Sequence, residues 1–493
     1  MTINNQIMNT NELENWLYGA ANILRGPINA ADFKTYIFPL IFLKRICDVH
    51  DEEYRIVIEK YGEAFPENFR FTIPENCHWK EIRETTSNVG TAISNAMHCI
   101  EKANQDVLWS IFGDADWTNK ELFKDELLSK LINHFSEYNL SETNVHQDMA
   151  GQAYEYLIKK FADESNKSAG EYYTPRAIIQ LLMRILKPLE GESVYDGCAG
   201  TGGFLLGACD YVYQNGGDIR KLKLYGQESN LTTQSIARMN LLFHGIEDYK
   251  IERGDTITKP LFFEGDELSK FDCVATNPPF SLDQWGREYF TNDPYHRNFA
   301  GTPPKGYGDY AFVQHHIASM NEQKGRMAIV LPQGALFRKG EEGKIRKKLL
   351  ESDLLEAVIG FAPNLFYGTT LAACCMIFRM NKEKSHKNKV LFLDASNQYR
   401  IWKNQNELLP KHIDAISKWY ESYSDIEGIS KVVTLDDIIE EDYNLNISLY
   451  VEPVIEEDSM SLEEAYTQLI AADNERKEAE NKLNLLLSKE GYI

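Results

Sequence analysis

Apolar residues recur at helical spacing along the first part of the chain. In "NELENWLYGAANILRG", Leu13, Trp16, Leu17, Ala20, Ile23 and Leu24 fall on one face. That predicts a helix with Thr10 as its N-cap and Gly26-Pro27 as its stop. "DFKTYIFPLIFLKRICDVHDEEY" is a second apolar helical stretch, with Pro39 as a kink or an early boundary. No catalytic constellation stands in residues 1–145, which read as a helical accessory or docking domain. From His146 the pattern changes. After the helical "QAYEYLIKKFADES" come short apolar strands alternating with helices, among them "SVYD", "KLYGQ", "KIERGD", "FDCVATN" and "RMAIVLP". This alternation predicts an α/β domain with a mostly parallel sheet over residues 146–396.

The remainder, 397–493, differs again. Between Glu421 and Ile470 one basic residue, Lys431, stands against fourteen acidic ones, a poor surface for DNA phosphates. The end carries a heptad. Leu462, Leu469, Arg476 and Leu483 occupy one seam position, and Ala465, Ala472, Ala479 and Leu486 the other. Such a helix is suited either to packing on its own chain or to pairing with a partner.

The whole chain has 493 residues and a formal charge of −22. A protein that gripped nucleic acid unaided would carry basic excess. A DNA substrate therefore requires a local basic channel or a basic partner. No apolar run reaches the length of a membrane span, and "MTINNQIMNT" lacks a signal-peptide pattern. The eight cysteines show no metal-ligand spacing, and Cys374-Cys375 lie in an apolar run. Buried thiols, no metal, no membrane and a reducing cytoplasmic location are the expectation.

The chemistry lies at strand ends. "SVYDGCAGTGGFLL" is a strand ending at Asp196, a turn containing Gly200, Thr201, Gly202 and Gly203, and an apolar helix from about Phe204. Alone this is a weak signal, equally a plain tight turn. "LYGQESN" adds Glu228 at the end of the next strand, where an acidic residue binds ribose hydroxyls in doubly wound folds. "GDT" places Asp255 at the same edge, within reach of an adenine amine or as a helix N-cap. In "FDCVATNPPF" a strand stops at Asn277-Pro278-Pro279-Phe280. The Asn277 side-chain oxygen and the Pro278 carbonyl can accept the two N–H bonds of an exocyclic amine, and Phe280 can stack on its base. "AGEYYTPRAIIQ" has two tyrosines before Thr174-Pro175, which read as a helix start. Asp309 reads as an N-cap, and His315-His316 as structural. Arg338, Lys339, Lys344, Arg346, Lys347 and Lys348 form a basic cluster, either a solvated helix face or a phosphate contact.

In this order, "GEYYTP", "DGCAGTGGF", "GQES", "GDT" and "NPPF" resemble the amino-group DNA methyltransferases that use S-adenosylmethionine. The chain most closely resembles the modification subunits of Type I restriction–modification systems. "ANILRGPINAADFKTYIFPLIFLKRICD" is similar to that family's helical N-terminal domain. The resemblance implies a Rossmann-like, seven-stranded, mostly parallel sheet with helices on both faces. It implies that Gly170, Glu171, Tyr172, Tyr173, Thr174, Pro175, Asp196 and the Gly200–Gly203 turn bind S-adenosylmethionine. Glu228 would hold its ribose, Asp255 would lie near its adenine, and Asn277, Pro278, Pro279 and Phe280 would form the target-base site. It also implies DNA, a separate specificity subunit with two modification subunits for each, and a nuclease subunit as partners. One departure is Gly197-Cys198-Ala199, where the family usually has Pro-Ala-Cys. The rival readings are a solitary adenine or N4-cytosine methyltransferase, a glutamine or RNA methyltransferase, and a catalytically silent scaffold.

Overall fold

The computed structural model describes residues 9–164, 173–367, 369–402, 405–452 and 462–489. Among these, the helices of ten residues or more are α1 (Thr10–Leu24), α2 (Phe33–Tyr61), α3 (Val89–Ala103), α4 (Asp125–Phe135), α5 (Gln147–Glu164), α6 (Arg176–Leu186), α7 (Gly203–Gln214), α8 (Leu231–Phe243), α9 (Asp309–Ala318), α10 (Glu341–Glu351), α11 (Pro410–Ser422) and α12 (Leu462–Lys489). The main sheet has nine strands: β1 (Ser193–Asp196), β2 (Lys223–Glu228), β3 (Tyr249–Arg253), β4 (Cys273–Thr276), β5 (Arg326–Pro332), β6 (Leu355–Phe361), β7 (Ala373–Arg379), β8 (Lys389–Ala395) and β9 (Ser430–Thr434).

The first helix buries the predicted face, Leu13, Trp16, Leu17, Ala20 and Leu24. Its cap is Asn9 rather than Thr10. The Asn9 side chain accepts the Glu12 N–H while Glu12 reaches back to the Asn9 N–H, a reciprocal capping box. Helix α2 runs unbroken through Pro39 for 29 residues, so Pro39 is neither a boundary nor an end. Burial of most of α2 from Phe33 to Glu52 offsets the single backbone bond that proline forfeits. Three of its buried charged residues hold the connector ahead of α5. Arg45 donates to the Val145 carbonyl at 2.8 Å, Asp48 accepts the Leu140 N–H at 2.6 Å, and Glu52 accepts the Glu142 N–H at 2.8 Å. Lys44 pairs with Asp48.

The sheet order is β9-β8-β6-β7-β5-β4-β1-β2-β3. All pairings are parallel except those of β7 with β5 and β6, and of β9 with β8. The expected seven strands are present, and β8 and β9 extend them at one edge. Strand β9 lies beyond residue 396, so the sheet takes in part of the acidic region. Strands buried on both faces read as continuous apolar runs. Val194 and Ala275 face one buried cluster with α6, α7 and α11, while Tyr195 and Val274 face another with α9 and α10. A third cluster joins α1–α5 to Ile236, Met239, Leu242 and Phe243 of α8. Helix α5, which the sequence places in the catalytic domain, packs into this shared core. Arg238 of α8 reinforces this join through the Val107 and Trp109 carbonyls, at 2.7 and 2.6 Å.

Residues 452–493 form a separate unit, of which α12 is described. Its seam leucines Leu469, Leu483 and Leu486 are exposed. Cys374 and Cys375 are buried free thiols, as expected. Among the described residues no helix is long and apolar enough to cross a membrane.

Candidate active site

Parallel strands deliver their loops to one edge, so β1, β2, β3 and β4 all end at one crevice. After β1 the chain turns through Gly200 and Gly202, whose φ values of +53° and +80° are left-handed. Gly202 then caps α7. The Ala199 N–H donates to the Gln227 carbonyl at 2.9 Å, and the Asn240 amide donates to the Thr201 carbonyl at 3.0 Å. The unusual Gly197 has a steric reason. A Cβ there would lie 2.3 Å from Nε2 of the buried His316, so a larger residue would require that ring to move.

Glu228, 7% exposed, binds this turn directly. Its carboxylate accepts the Gly200 N–H at 3.0 Å and the Asn230 N–H at 2.8 Å. Burial raises its pKa, and these N–H donors work against that rise. Asp196 is 1% exposed and accepts the Cys198 N–H at 3.0 Å. Its pKa is pushed up to about 7, by burial first, with the neighbouring Glu228 charge adding to the rise.

One cavity is lined by Asp196, Gly200, Thr201, Tyr173, Thr174 and Asn277, among others. Asn277 follows β4 and crosses to the segment before α6, where its Nδ2 donates to the Thr174 hydroxyl at 3.1 Å. Its Oδ1 is buried and has no hydrogen-bond partner. Thr174 is therefore not the helix cap it was expected to be. Pro175 stands at that position and α6 begins at Arg176. Pro278 is buried, Pro279 half-buried, and the half-buried Phe280 meets Phe366 edge-on at 6.0 Å. Tyr173 packs against Tyr367 with ring centroids 5.2 Å apart. Gly170, Glu171 and Tyr172 lie outside the described residues.

Asp255 caps the turn after β3. Its Oδ1 accepts the Ile257 and Thr258 N–H groups at 3.0 and 2.6 Å, which realises the capping alternative. Two features escaped sequence reading. Asn240 lines the same cavity and its Oδ1 is buried without a partner; the only trace in sequence is one amide inside the apolar "ARMNLLF". Arg176, also at the cavity, pairs with Glu155 at 2.6 Å and Asp210 at 3.2 Å. The basic cluster divides. Arg338 is held by Asp309 and Glu342, and Arg346 donates to the carbonyls of Arg338 and Ala335 at 2.7 and 3.2 Å. Lys339, Lys344, Lys347 and Lys348 are exposed. His315 and His316 are buried, and His315 bonds Tyr195 at 3.0 Å and Arg297 at 3.1 Å, a structural role as expected.

A doubly wound sheet with a glycine turn after β1, a carboxylate after β2 and Asn-Pro-Pro-Phe after β4 defines the amino-group methyltransferase class. Comparisons place the chain more closely. Residues 145–459 match the N-6 DNA methylase family and residues 13–135 the HsdM N-terminal domain. The chain is 31% identical over 480 residues to the Type I restriction enzyme MjaVII methylase subunit of Methanocaldococcus jannaschii, covering 91% of this chain and 80% of that one. It is 30% identical to the Haemophilus influenzae HindI methylase subunit, covering 78% and 91%. The crystal structure of a Type I methyltransferase subunit from Streptococcus thermophilus superposes with a TM-score of 0.80 at 29% identity, over 90% of this chain and all of that one. The chain belongs to the N-6 DNA methylase family, and within it to the methylase subunits of Type I restriction enzymes.

Proposed function

We propose that this chain transfers a methyl group from S-adenosylmethionine to adenine N6 in DNA, as the modification subunit of a complex whose specificity subunit selects the sequence. One observation carries the reading. Asn277 Oδ1 is a buried acceptor without a partner, on the cavity that Asp196 and the glycine turn also line. A buried polar atom left unpaired costs about 1–3 kcal/mol, and an incoming N–H donor removes that cost.

The residues present fit S-adenosylmethionine. The Gly200–Gly203 turn brings backbone close to a ligand, Asp196 and Glu228 suit its ammonium group and its ribose hydroxyls, and Tyr173 to Pro175 close one side. When bound, S-adenosylmethionine supplies an electrophilic methyl group on a sulfonium. The chain supplies orientation. Asn277 Oδ1 and the Pro278 carbonyl accept the two N6–H bonds, which localises the amine lone pair that the ring otherwise delocalises. Phe280 stacks on the extruded base. Such stacking is worth roughly 1–3 kcal/mol, against an extrusion cost of roughly a few kcal/mol. Thr174 holds the Asn277 amide so that its oxygen points at the base. Asp255, whose Oδ1 is occupied by its own turn, would meet the cofactor adenine through its second oxygen.

The formal charge of −22 favours DNA binding through a partner; the family resemblance further implies two modification subunits per specificity subunit and a nuclease subunit joining for restriction. Labelled methyl transfer to DNA, followed by nucleoside analysis, tests the proposal. N6-methyladenine should appear when a specificity subunit is added and not with this chain alone. N6-methyladenine made by the chain alone would instead identify a solitary enzyme, and N4-methylcytosine would overturn the choice of base.

A further inference from the structure

We propose that His50, Asp51 and His78 form a binding site for a first-row divalent transition-metal ion, zinc foremost, in the N-terminal helical domain. Their donor atoms all lie within 4.8 Å of one another. His78 Nδ1 is 3.2 Å from Asp51 Oδ1, and His50 Nδ1 is 3.8 Å from the same oxygen. A tetrahedral zinc ion with bonds of about 2.0–2.1 Å holds its donors roughly 3.3 Å apart. Two of the three donor separations are therefore close to the edge length of such a tetrahedron, and the third lies within 4.8 Å.

An ordinary ion pair between Asp51 and His78 accounts for one imidazole only. His50 is 8% exposed, and its Nδ1 is buried with no hydrogen-bond partner. That nitrogen faces the Asp51 carboxylate at a distance too long for a hydrogen bond. A metal ion between them satisfies both imidazoles and the carboxylate together. Two imidazoles and one carboxylate suit zinc, cobalt or nickel rather than calcium or magnesium. A fourth position falls to water. His50 and Asp51 lie on α2, whereas His78 precedes the short helix Trp79–Glu84. The ion would thus staple the turn-rich segment between them onto α2, far from the methyltransferase cavity in sequence.

The test uses the full-length chain. Cobalt titration should develop the visible absorption of a tetrahedral ion at one equivalent, zinc should displace it, and zinc should raise the melting temperature. Asp51→Asn and His78→Gln should each weaken zinc binding at least about tenfold, with S-adenosylmethionine binding unchanged. These two lie nearer the surface than His50, so they carry the test, with circular dichroism as the check on folding. Absence of binding at micromolar zinc overturns the proposal. So does wild-type affinity in both variants, which would assign the ion to other histidines or to the cysteines.

Discussion

Asn277 has two amide atoms with different fates. Its nitrogen is spent on Thr174, and its oxygen is left as a buried acceptor. Asn277→Ala should abolish methyl transfer, by at least about a hundredfold, while calorimetry shows S-adenosylmethionine still binding. Loss of that binding too would mean the residue serves the cofactor. Thr174→Val keeps the shape and removes the hydroxyl. It should lower kcat between about tenfold and a hundredfold, and Thr174→Ser should restore most of it. Asp196 makes a separate prediction. Its folded pKa, about 7, lies above the unfolded value near 3.8. The protonated carboxyl therefore favours the folded state below pH 4, and this contribution is lost as pH rises through 7. Between pH 5 and pH 8 the wild type should lose on the order of 2 kcal/mol relative to Asp196→Asn, read by urea denaturation at both pH values. The place of Asn277 at a strand end was legible in sequence because the apolar run of β4 stops at Asn-Pro-Pro-Phe. The Thr174 contact was not, because 103 residues separate the partners and only folding brings them together.

At the scale of elements, the loop after β4 is clamped rather than free. Asp309, at the start of α9, accepts the Ser281 N–H at 2.9 Å and pairs with Arg338. Arg338 also reaches Glu342 of α10, at 2.5 Å from Nε and 3.1 Å from Nη2. Asp309 and Glu342 are 0% and 1% exposed, so two buried carboxylates depend on one guanidinium. Arg338→Ala should destabilise the protein by about 3 kcal/mol or more, measured by denaturant unfolding, and should lower transfer by loosening Phe280. If stability were unchanged and only DNA binding fell, Arg338 would be the phosphate contact that its neighbours in sequence suggested. The pattern of charges showed a basic cluster. It could not show that Arg338 and Arg346 turn inward while the lysines stay in water, because that depends on carboxylates and carbonyls brought from other elements.

At the scale of the molecule, residues up to Val451 form one unit, and α12 belongs to the other. The exposed seam of α12, with Leu469, Leu483 and Leu486 at 55–65% exposure, supports a docking role. A chain ending at Val451 should bind S-adenosylmethionine and melt as the full chain does, but should no longer co-purify with a specificity subunit. Retained co-purification would move the docking surface to the N-terminal helices.

The sequence by itself determined the α/β class, the helical start, the strand ends and the side chains placed there, because these follow from local periodicity and from residues that halt a strand. Tertiary structure decided the rest. It carried α2 through Pro39, since packing along a 29-residue helix outweighs one lost hydrogen bond. It packed α5 against the N-terminal helices and drew β9 into the sheet, since burial of an apolar face is settled by whichever surface is complementary to it. It also oriented Asn277 and brought His50 to His78, because such contacts join residues whose separation in the chain says nothing of their distance in space.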